Sequence, residues 1–315
     1  MIFLNTSELR AQILPRGATL AGFWFHPGAR HSLVLGTPDG RGFDRELTYA
    51  GAIVGPVANR LRGASVTING VTHGLPANDN GNTLHSGPLG LHATEWAVTE
   101  QSDDQVILQA DLADGTCGLP GNRRFSASYS LLPGATLSLE ITATTDRDTL
   151  INPAHHPYWC LDAGPGIPDH RLQVMAETWL PTDDATLPRG TVAPVAGSDY
   201  DFARMRPVPV DRPLDASLCL SPQQRPDPQK AAILTGPNGL TMTIDTTEPG
   251  LQIYNGSGLP EDGPALHDGR RLQPFAGLAL EPQGWPDAPA HADFPSILLP
   301  AGEIYRQVTR YHFSF

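Results

Sequence analysis

The sequence predicts an all-β protein, a large single-domain antiparallel β-sandwich spanning residues 1–315. Three observations lead to this fold class. Short apolar runs alternate with polar residues along much of the chain, which is the two-residue period of strands. The 32 glycines and 31 prolines lie between those runs as turn residues and are not gathered into a linker. No long amphipathic helix, fixed repeat or composition break divides the chain.

Two hairpins are the clearest local predictions. Residues 64–68 lead into Asn69-Gly70 and continue through residues 71–72, and this pair tolerates the positive φ angles of a tight turn. The second hairpin turns at Pro133-Gly134. Its alternating apolar residues, predicted to share one buried face, are Phe125, Ala127, Tyr129, Leu131, Leu137, Leu139 and Ile141.

Further strands are predicted from similar patterns, and they cover residues 18–25, 106–112, 240–244 and 305–315. In the last of them, the residues expected to share a face are Tyr305, Tyr311, Phe313 and Phe315. The order of the strands within the sheets does not follow from these patterns.

Composition excludes several classes of function. The formal charge is −12 and no Lys/Arg cluster occurs, so nucleic acids and anionic membrane surfaces are not expected partners. Residues 1–8 lack a basic leader, and no later run approaches membrane-spanning length, so we expect a cytoplasmic protein without membrane spans. Cys117, Cys160 and Cys219 show no paired metal-ligand spacing, which predicts buried thiols without disulfides or a metal site.

Four polar clusters lie beside aromatic or glycine-rich segments, as is typical of sugar sites. They are residues 58–61, 82–87, 152–159 and 278–289. Each cluster taken alone favours an ordinary structural interpretation: Arg60 in a surface ion pair, His85 in a loop, His155-His156 in a strand and Glu281 at a solvated strand end. The four together favour a functional site.

The fourth cluster contains the strongest candidate for a general base. Residues 276–280 form an uninterrupted small and apolar run that predicts a buried strand, and Glu281 follows it directly. Phe275 and Trp285 are expected to lower the local dielectric constant, which raises the pKa of a carboxyl towards neutrality. Glu281 could then accept a proton near neutral pH.

The third cluster supplies a candidate acid. His156 has an ordinary pKa of about 6.5 and is a natural proton donor at the same pH. Tyr158 and Trp159 follow it and are expected to offer flat apolar faces to the C–H side of a sugar ring.

These clusters, in this order and at these separations, resemble the aldose 1-epimerase (galactose mutarotase) family over nearly the whole chain. Further similar segments are residues 17–20, 33–36, 51–55 and 294–306. The resemblance implies a galactose mutarotase-like β-sandwich with His156 as the acid and Glu281 as the base. It also implies that sugar oxygens are bound by Asn59, Arg60, His85, Asp215 and Gln252.

Two positions depart from the commoner family pattern. His155 stands where an asparagine usually precedes the acid, and Asp215 lacks the asparagine or histidine that often follows it. Adjacent strand residues point to opposite faces, so His155 and His156 cannot both serve one site. The role is assigned to His156 because Pro157 and an aromatic pair follow it. The alternative is that His155 donates the proton and His156 is a packed strand residue.

The implied reaction opens and closes a free sugar ring with one acid and one base, so no cofactor is expected. The expected partner is a small-molecule sugar, and the chain is expected to be a monomer or a homodimer. A hexose-6-phosphate 1-epimerase is an alternative that needs a cationic pocket for the phosphate. A glycosidase needs two well-placed carboxyls. A non-catalytic sugar-binding or sensor protein would not need both His156 and Glu281.

Overall fold

The structure, a computed structural model, describes residues 1–26 and 28–315. Across these residues the chain forms 26 β-strands and four 3₁₀ helices of three residues each. The strands are β1 (Ile2–Asn5), β2 (Leu9–Leu14), β3 (Thr19–Phe25), β4 (Ile53–Val54), β5 (Arg60–Leu61), β6 (Ser65–Ile68), β7 (Val71–Gly74), β8 (Thr83–Leu84), β9 (Ala97–Gln101), β10 (Gln105–Leu112), β11 (Arg123–Leu132), β12 (Thr136–Thr145), β13 (Thr149–Leu150), β14 (Ala154–His155), β15 (Tyr158–Trp159), β16 (Arg171–Val174), β17 (Thr178–Leu180), β18 (Ala193–Pro194), β19 (Arg206–Pro207), β20 (Asp215–Cys219), β21 (Gln229–Thr235), β22 (Thr241–Thr246), β23 (Gly250–Tyr254), β24 (Leu278–Gln283), β25 (Leu298–Leu299) and β26 (Ile304–Ser314). The helices are Arg62–Ala64, Leu91–Ala93, Thr116–Gly118 and Ala288–Ala290.

Two large sheets dominate the fold. The larger has nine strands in the order β19-β16-β21-β22-β26-β12-β11-β10-β9, and the smaller has six in the order β15-β24-β23-β20-β17-β18. A three-stranded sheet, β1-β2-β3, and four two-stranded ladders complete the structure. The strand pairs of both large sheets are antiparallel, which confirms the predicted fold class. Among the described residues, no helix is long and apolar enough to cross a membrane.

Both predicted hairpins are present. In the first, β6 and β7 pair around Asn69 and Gly70, whose φ angles are +49° and +79°. In the second, β11 and β12 pair over ten residues each, and the predicted apolar residues alternate into the core. The turn residues therefore supply the left-handed backbone that each hairpin needs.

The last strand, β26, differs from the prediction at its end. Tyr311 and Phe313 are buried as expected, but 79% of the side-chain surface of Phe315 is exposed. Phe315 lies beyond the end of β26, where no facing strand covers it, and its ring contacts only the partly buried Phe25 among the aromatic pairs of the described residues. The predicted shared face thus stops at Phe313.

The main hydrophobic core lies between the two large sheets. It joins Leu139 and Ile141 of the nine-stranded sheet to Leu251, Ile253 and Leu280 of the six-stranded sheet. Since strand side chains alternate between faces, the residues between these apolar positions on the six-stranded sheet point away from the core. That second face carries the candidate site.

Candidate active site

All seven residues predicted for the site line one cavity of about 210 Å³. The lining residues are Tyr49, Asn59, Arg60, Leu84, His85, His156, Tyr158, Asp215, Gln252, Tyr254 and Glu281. They come from segments far apart in the sequence, which the fold brings together.

The floor of the cavity is formed by neighbouring strands of the six-stranded sheet. Glu281 on β24 lies directly across from Gln252 on β23, and Ser217 on β20 follows next in the same row. Gln252 Nε2 donates a hydrogen bond of 2.5 Å to Oδ1 of Asp215. The amide and the carboxylate therefore present a joined pair of polar groups to the cavity.

The surroundings of Glu281 differ from the prediction in two respects. The residue lies inside β24, not after its end, because the strand begins at Leu278 and continues to Gln283. Phe275 and Trp285 do not line the cavity. Phe275 packs against the main core, and Trp285 belongs to a separate apolar cluster with Phe294. Glu281 is buried because its strand is covered on both faces.

The two adjacent histidines point to opposite sides, as predicted. His155 faces the core, where Nδ1 lies 3.1 Å from the hydroxyl of Tyr311. His156 faces the cavity, and its Nε2 lies 3.4 Å from Oε1 of Glu281. Backbone hydrogen bonds with Ala52 and Gly51 hold His156 in place. The imidazole in the cavity is therefore that of His156.

The predicted aromatic pair is divided between the cavity and the core. Tyr158 lines the cavity, but Trp159 is fully buried, with its ring 4.9 Å from that of Tyr311. The expectation that Trp159 offers a face to a sugar is therefore wrong. Alternation along β15 sends only one of two consecutive side chains to each face.

The wall opposite the floor is built by the short β5–β8 ladder. Asn59 and His85 flank it with φ angles of +60° and +50°, a strained region for residues other than glycine. His85 Nδ1 accepts a hydrogen bond of 3.1 Å from the backbone N–H of Asn59. In its neutral form, His85 must then carry its proton on Nε2, so that it is a hydrogen-bond donor.

Arg60 is anchored on the same wall. Its Nε donates a hydrogen bond of 2.7 Å to Oδ2 of Asp79, which leaves the two Nη groups available. Among the described residues that line the cavity, Arg60 alone carries a permanent positive charge. The side chain is thus fixed in direction while part of its guanidinium remains free to bind oxygen atoms.

Sequence reasoning missed two tyrosines of the site. Tyr254 follows Gln252 by two residues on β23, so strand alternation could have placed it on the same face. Tyr49 lies outside the regular strands, and its ring is 4.7 Å from that of His85 and 4.8 Å from that of His92. No local pattern identifies Tyr49, because its position depends on contacts with distant segments.

Burial shifts the ionisable groups of the cavity towards their neutral forms. It lowers the pKa of His156 to about 4 and that of His85 well below its ordinary value. It raises the pKa of Glu281 well above the usual range, and the neighbouring Asp215 adds to that effect. Burial also raises the pKa of Asp215, although Arg60 opposes the change. The site therefore favours a neutral pair of Glu281 and His156.

Within the described ranges, one group of three potential metal ligands lies outside the cavity. Ligand atoms of Cys160, Asp162 and His170 lie within 4.8 Å of one another. However, Nε2 of His170 already accepts a hydrogen bond of 2.8 Å from the backbone of Leu161, and Arg270 Nη1 lies 3.8 Å from Cys160 Sγ. A used lone pair and a neighbouring cation make this group a poor fit for a metal ion.

The known proteins with similar sequences are named aldose 1-epimerases or galactose mutarotases. The family described as Aldose 1-epimerase matches residues 1–312. Galactose mutarotase from Rattus norvegicus is 31% identical, covering 99% of this chain and 93% of that protein. Aldose 1-epimerase from Escherichia coli K12 is 29% identical, covering 98% of this chain and 93% of that protein.

Solved structures with the same fold extend the similarity. The crystal structure of an aldose epimerase homologue from C. elegans has a TM-score of 0.90 and 27% identity, covering 99% of this chain and 98% of that one. Galactose 1-epimerase from Lactobacillus acidophilus has a TM-score of 0.84 and 25% identity, covering 98% of this chain and 92% of that one.

Proposed function

Because this chain belongs to the aldose 1-epimerase family and is an isomerase of the α and β anomers of aldoses, we propose that His156 and Glu281 make its two proton transfers. The observation that carries the proposal is their buried contact, 3.4 Å between His156 Nε2 and Glu281 Oε1, at one cavity. We also propose that residues 1–315 act as one domain, since the family match spans residues 1–312.

Ring opening needs one proton removed and one supplied. With Glu281 ionised and His156 protonated, Glu281 accepts the proton of the C1 hydroxyl while the bond between C1 and the ring oxygen breaks. His156 gives its proton to the departing ring oxygen. The result is an open-chain aldehyde beside a protonated Glu281 and a neutral His156, so the pair keeps one proton between its two members.

Ring closure reverses both transfers on the other face of the aldehyde. Rotation about the C1–C2 bond presents that face to the hydroxyl that was the ring oxygen. His156 takes the proton of this hydroxyl as it attacks C1, and Glu281 returns its proton to the carbonyl oxygen. No electron is gained or lost, and the starting protonation of both residues is restored.

The electrostatics of the site support this cycle. Burial lowers the pKa of His156 and raises that of Glu281, which favours the neutral pair. The neutral pair is the state that accompanies the open-chain sugar. Burial therefore lowers the free energy of the ring-opened complex relative to the cyclic complex in which Glu281 and His156 are ionised, which is the state from which the ring opens.

The remaining polar residues are suited to orienting the sugar. His85 presents its Nε2–H as a donor, and Arg60 keeps its Nη groups free while Asp79 holds its Nε. The hydrogen-bonded pair of Asp215 and Gln252 can accept and donate to hydroxyl groups of the ring. Fixed donors and acceptors of this kind contribute by positioning the reacting atoms and by stabilising developing charge.

A free aldose such as galactose or glucose is the proposed substrate. Tyr158 and Tyr254 line the cavity and have their ring centroids 6.1 Å apart, so they supply apolar surface beside the polar groups. A hexose 6-phosphate is not favoured, because Arg60 is the one permanent cation among the described lining residues and Asp79 already neutralises it. The names of the similar proteins also refer to galactose and aldoses.

We also propose a location and an oligomeric state for the protein. Cys117, Cys160 and Cys219 are free and buried, which supports a reducing compartment such as the cytoplasm. The oligomeric state is proposed to be a monomer or a homodimer, and sedimentation of the purified chain would decide between the two.

Polarimetry tests the proposed function directly. The purified protein should accelerate the decay of freshly dissolved α-D-galactose or α-D-glucose to its equilibrium rotation, and a metal chelator should leave the rate unchanged. Glu281→Gln protein prepared in the same way controls for a contaminating mutarotase. Failure to accelerate any common aldose, or a higher kcat/KM for hexose 6-phosphates than for free hexoses, would contradict the proposal.

A further inference from the structure

A group of unpaired polar atoms lies behind Glu281. The side chain of Gln283 is fully buried, and neither its Nε2 nor its Oε1 has a hydrogen-bond partner in the protein. The same holds for Oγ of Ser217, which is 4% exposed, and for Oε2 of Glu281. Buried polar groups of this kind are costly unless something satisfies them.

The strand register puts these atoms on one face of one sheet. Glu281 and Gln283 are two residues apart on β24, so their side chains leave the strand on the same side. Gln252 lies across from Glu281, and Ser217 lies across from Gln252 on the next strand. Gln283 lies across from Gly250, where the ring of Trp285 packs closely against the backbone.

This group is separated from the sugar. Gln283 and Ser217 do not line the cavity, whereas Glu281 and Gln252 do. On the side away from the cavity the face is covered by an apolar cluster that contains Trp285 and Cys219. The unpaired atoms of Gln283 and Ser217 therefore lie outside the sugar-binding cavity.

The Cα atoms of residues two apart on a strand are about 7 Å apart. Oε2 of Glu281 and the amide of Gln283 make no direct hydrogen bond to each other, so one water could bridge them. Buried waters occupy polar sites that offer two to four partners. On this face of the sheet the unpaired groups are a carboxylate oxygen, an amide and a hydroxyl. An apolar occupant would leave all of these groups unsatisfied.

We propose that Gln283 and Ser217 hold an ordered water molecule against Oε2 of Glu281, and that this water positions the general base. In this arrangement the water donates one hydrogen bond to Glu281 and one to Ser217 Oγ, and it accepts one from Gln283 Nε2. Gln283 and Ser217 are thus positioning residues that act through the water. The inference rests on the proposed function, because it takes Glu281 as the base.

The expected effect on catalysis has a definite direction. A donated hydrogen bond stabilises the ionised carboxylate, which is the form that accepts the proton of the C1 hydroxyl. Losing the water leaves Glu281 more firmly protonated. The other titratable groups that face this carboxyl or its cavity are not substituted in the test. They are His156, Asp215, Tyr158, Tyr311, Arg60, His85, Tyr49 and Tyr254.

The experiment compares Gln283→Met, Ser217→Ala and the double variant in the mutarotase assay over a range of pH. Each single variant should lower kcat about tenfold, the usual size of one lost hydrogen bond to a charged group. KM should stay near the wild-type value, since neither side chain touches sugar. The alkaline limb of the kcat profile should move up by about one pH unit.

The double variant separates a shared water from two unrelated defects. If both side chains act through one water, the double variant should have a kcat no lower than that of the less active single variant. Gln12→Met is the matched control, because Gln12 is a buried glutamine in the three-stranded sheet, and its kcat and alkaline limb should match the wild type. A high-resolution crystal structure should show the water in the wild type and not in Ser217→Ala.

Two results would overturn the inference: wild-type kcat and an unmoved alkaline limb in both single variants, or effects that multiply in the double variant. If Gln283→Met fails to fold, Ser217→Ala decides alone, because it removes a single oxygen. An inactive wild type, or an active Glu281→Gln, would instead refute the proposed function. If the wild type is active and Glu281→Gln is inactive, single variants with the wild-type kcat and alkaline limb refute only the proposed water.

Discussion

The two large sheets use burial for different purposes. In the nine-stranded sheet, β11 and β12 run for ten residues each and alternate between buried apolar and more exposed polar side chains. In the six-stranded sheet, β24 has six residues that are all buried, and Glu281 and Gln283 are among them. One sheet faces the core on one side and solvent on the other. The second faces the core on one side and the cavity on the other.

This difference indicates where stability and chemistry reside. Burying apolar side chains between the sheets stabilises the fold in proportion to the area removed from water. Burying a carboxyl, an amide and an imidazole opposes folding unless partners compensate. The six-stranded sheet therefore gives up stability on its cavity face to hold the acid and the base, and substitutions in the two sheets should have opposite consequences.

The largest effect on activity is expected from Glu281→Gln. Removing the base should lower kcat by about 10²- to 10⁴-fold, the usual contribution of a general base. Stability should not fall, since the buried group already favours its uncharged form. Glu248→Gln is the matched control, because Glu248 is also a buried glutamate with its pKa raised to about 7, but it lies outside the cavity. Equal losses of kcat in Glu281→Gln and Glu248→Gln would contradict a specific role for the glutamate in the cavity.

The neighbouring residues His155 and His156 test the same contrast between stability and chemistry. His156→Asn should lower kcat by about 10²-fold or more, because it removes the proton donor to the ring oxygen. His155→Asn should keep most of its kcat but unfold at a lower temperature, because His155 packs in the core against Tyr311. Steady-state rates and thermal unfolding of both variants provide the measurements. Exchanged phenotypes would make His155 the donor.

A core substitution in the nine-stranded sheet should show the reverse behaviour. Leu139 is buried on β12 across from Tyr129. Leu139→Ala should reduce the free energy of unfolding by about 2–5 kcal/mol, while kcat per folded molecule stays unchanged. Ser138→Ala, at a partly exposed position on the same strand, is the control and should change stability by less than about 0.5 kcal/mol. A large fall in kcat for Leu139→Ala would show that the two sheets are not separable.

The smallest effect on activity is expected from a change of pH around 6.5, the ordinary pKa of histidine. Burial places the pKa of His156 at about 4 and raises that of Glu281, so the pair keeps one proton between these limits. Below the lower limit both groups are protonated and no base remains, and above the upper limit no acid remains. After subtraction of the uncatalysed rate, kcat/KM should show no limb near pH 6.5, the ordinary pKa of histidine. A limb near 6.5 that is lost in His156→Asn would contradict this reading.

Much of the nine-stranded sheet could be predicted from the sequence because its signals are local. The alternation from Phe125 to Ile141 and the turn at Pro133-Gly134 identify a hairpin without knowledge of the rest of the chain. Short strands such as β14 and β15 gave no such signal, since two residues cannot display a period. For this reason the sequence assigns Trp159 to the sugar face. It places Glu281 at the end of a strand because the six residues of β24 are all buried and show no alternation.

The sequence by itself determined the all-β class, the main hairpins and the residue types of an acid and base site, because turn chemistry and alternation depend on neighbouring residues. Only the tertiary structure decided that Tyr49 joins the cavity, that His156 and not His155 faces Glu281, and that Gln283 and Ser217 lie behind the base. These arrangements depend on how segments far apart in the sequence pack together. Burial, which shifts the pKa values of His156 and Glu281, exists only after that packing has excluded water.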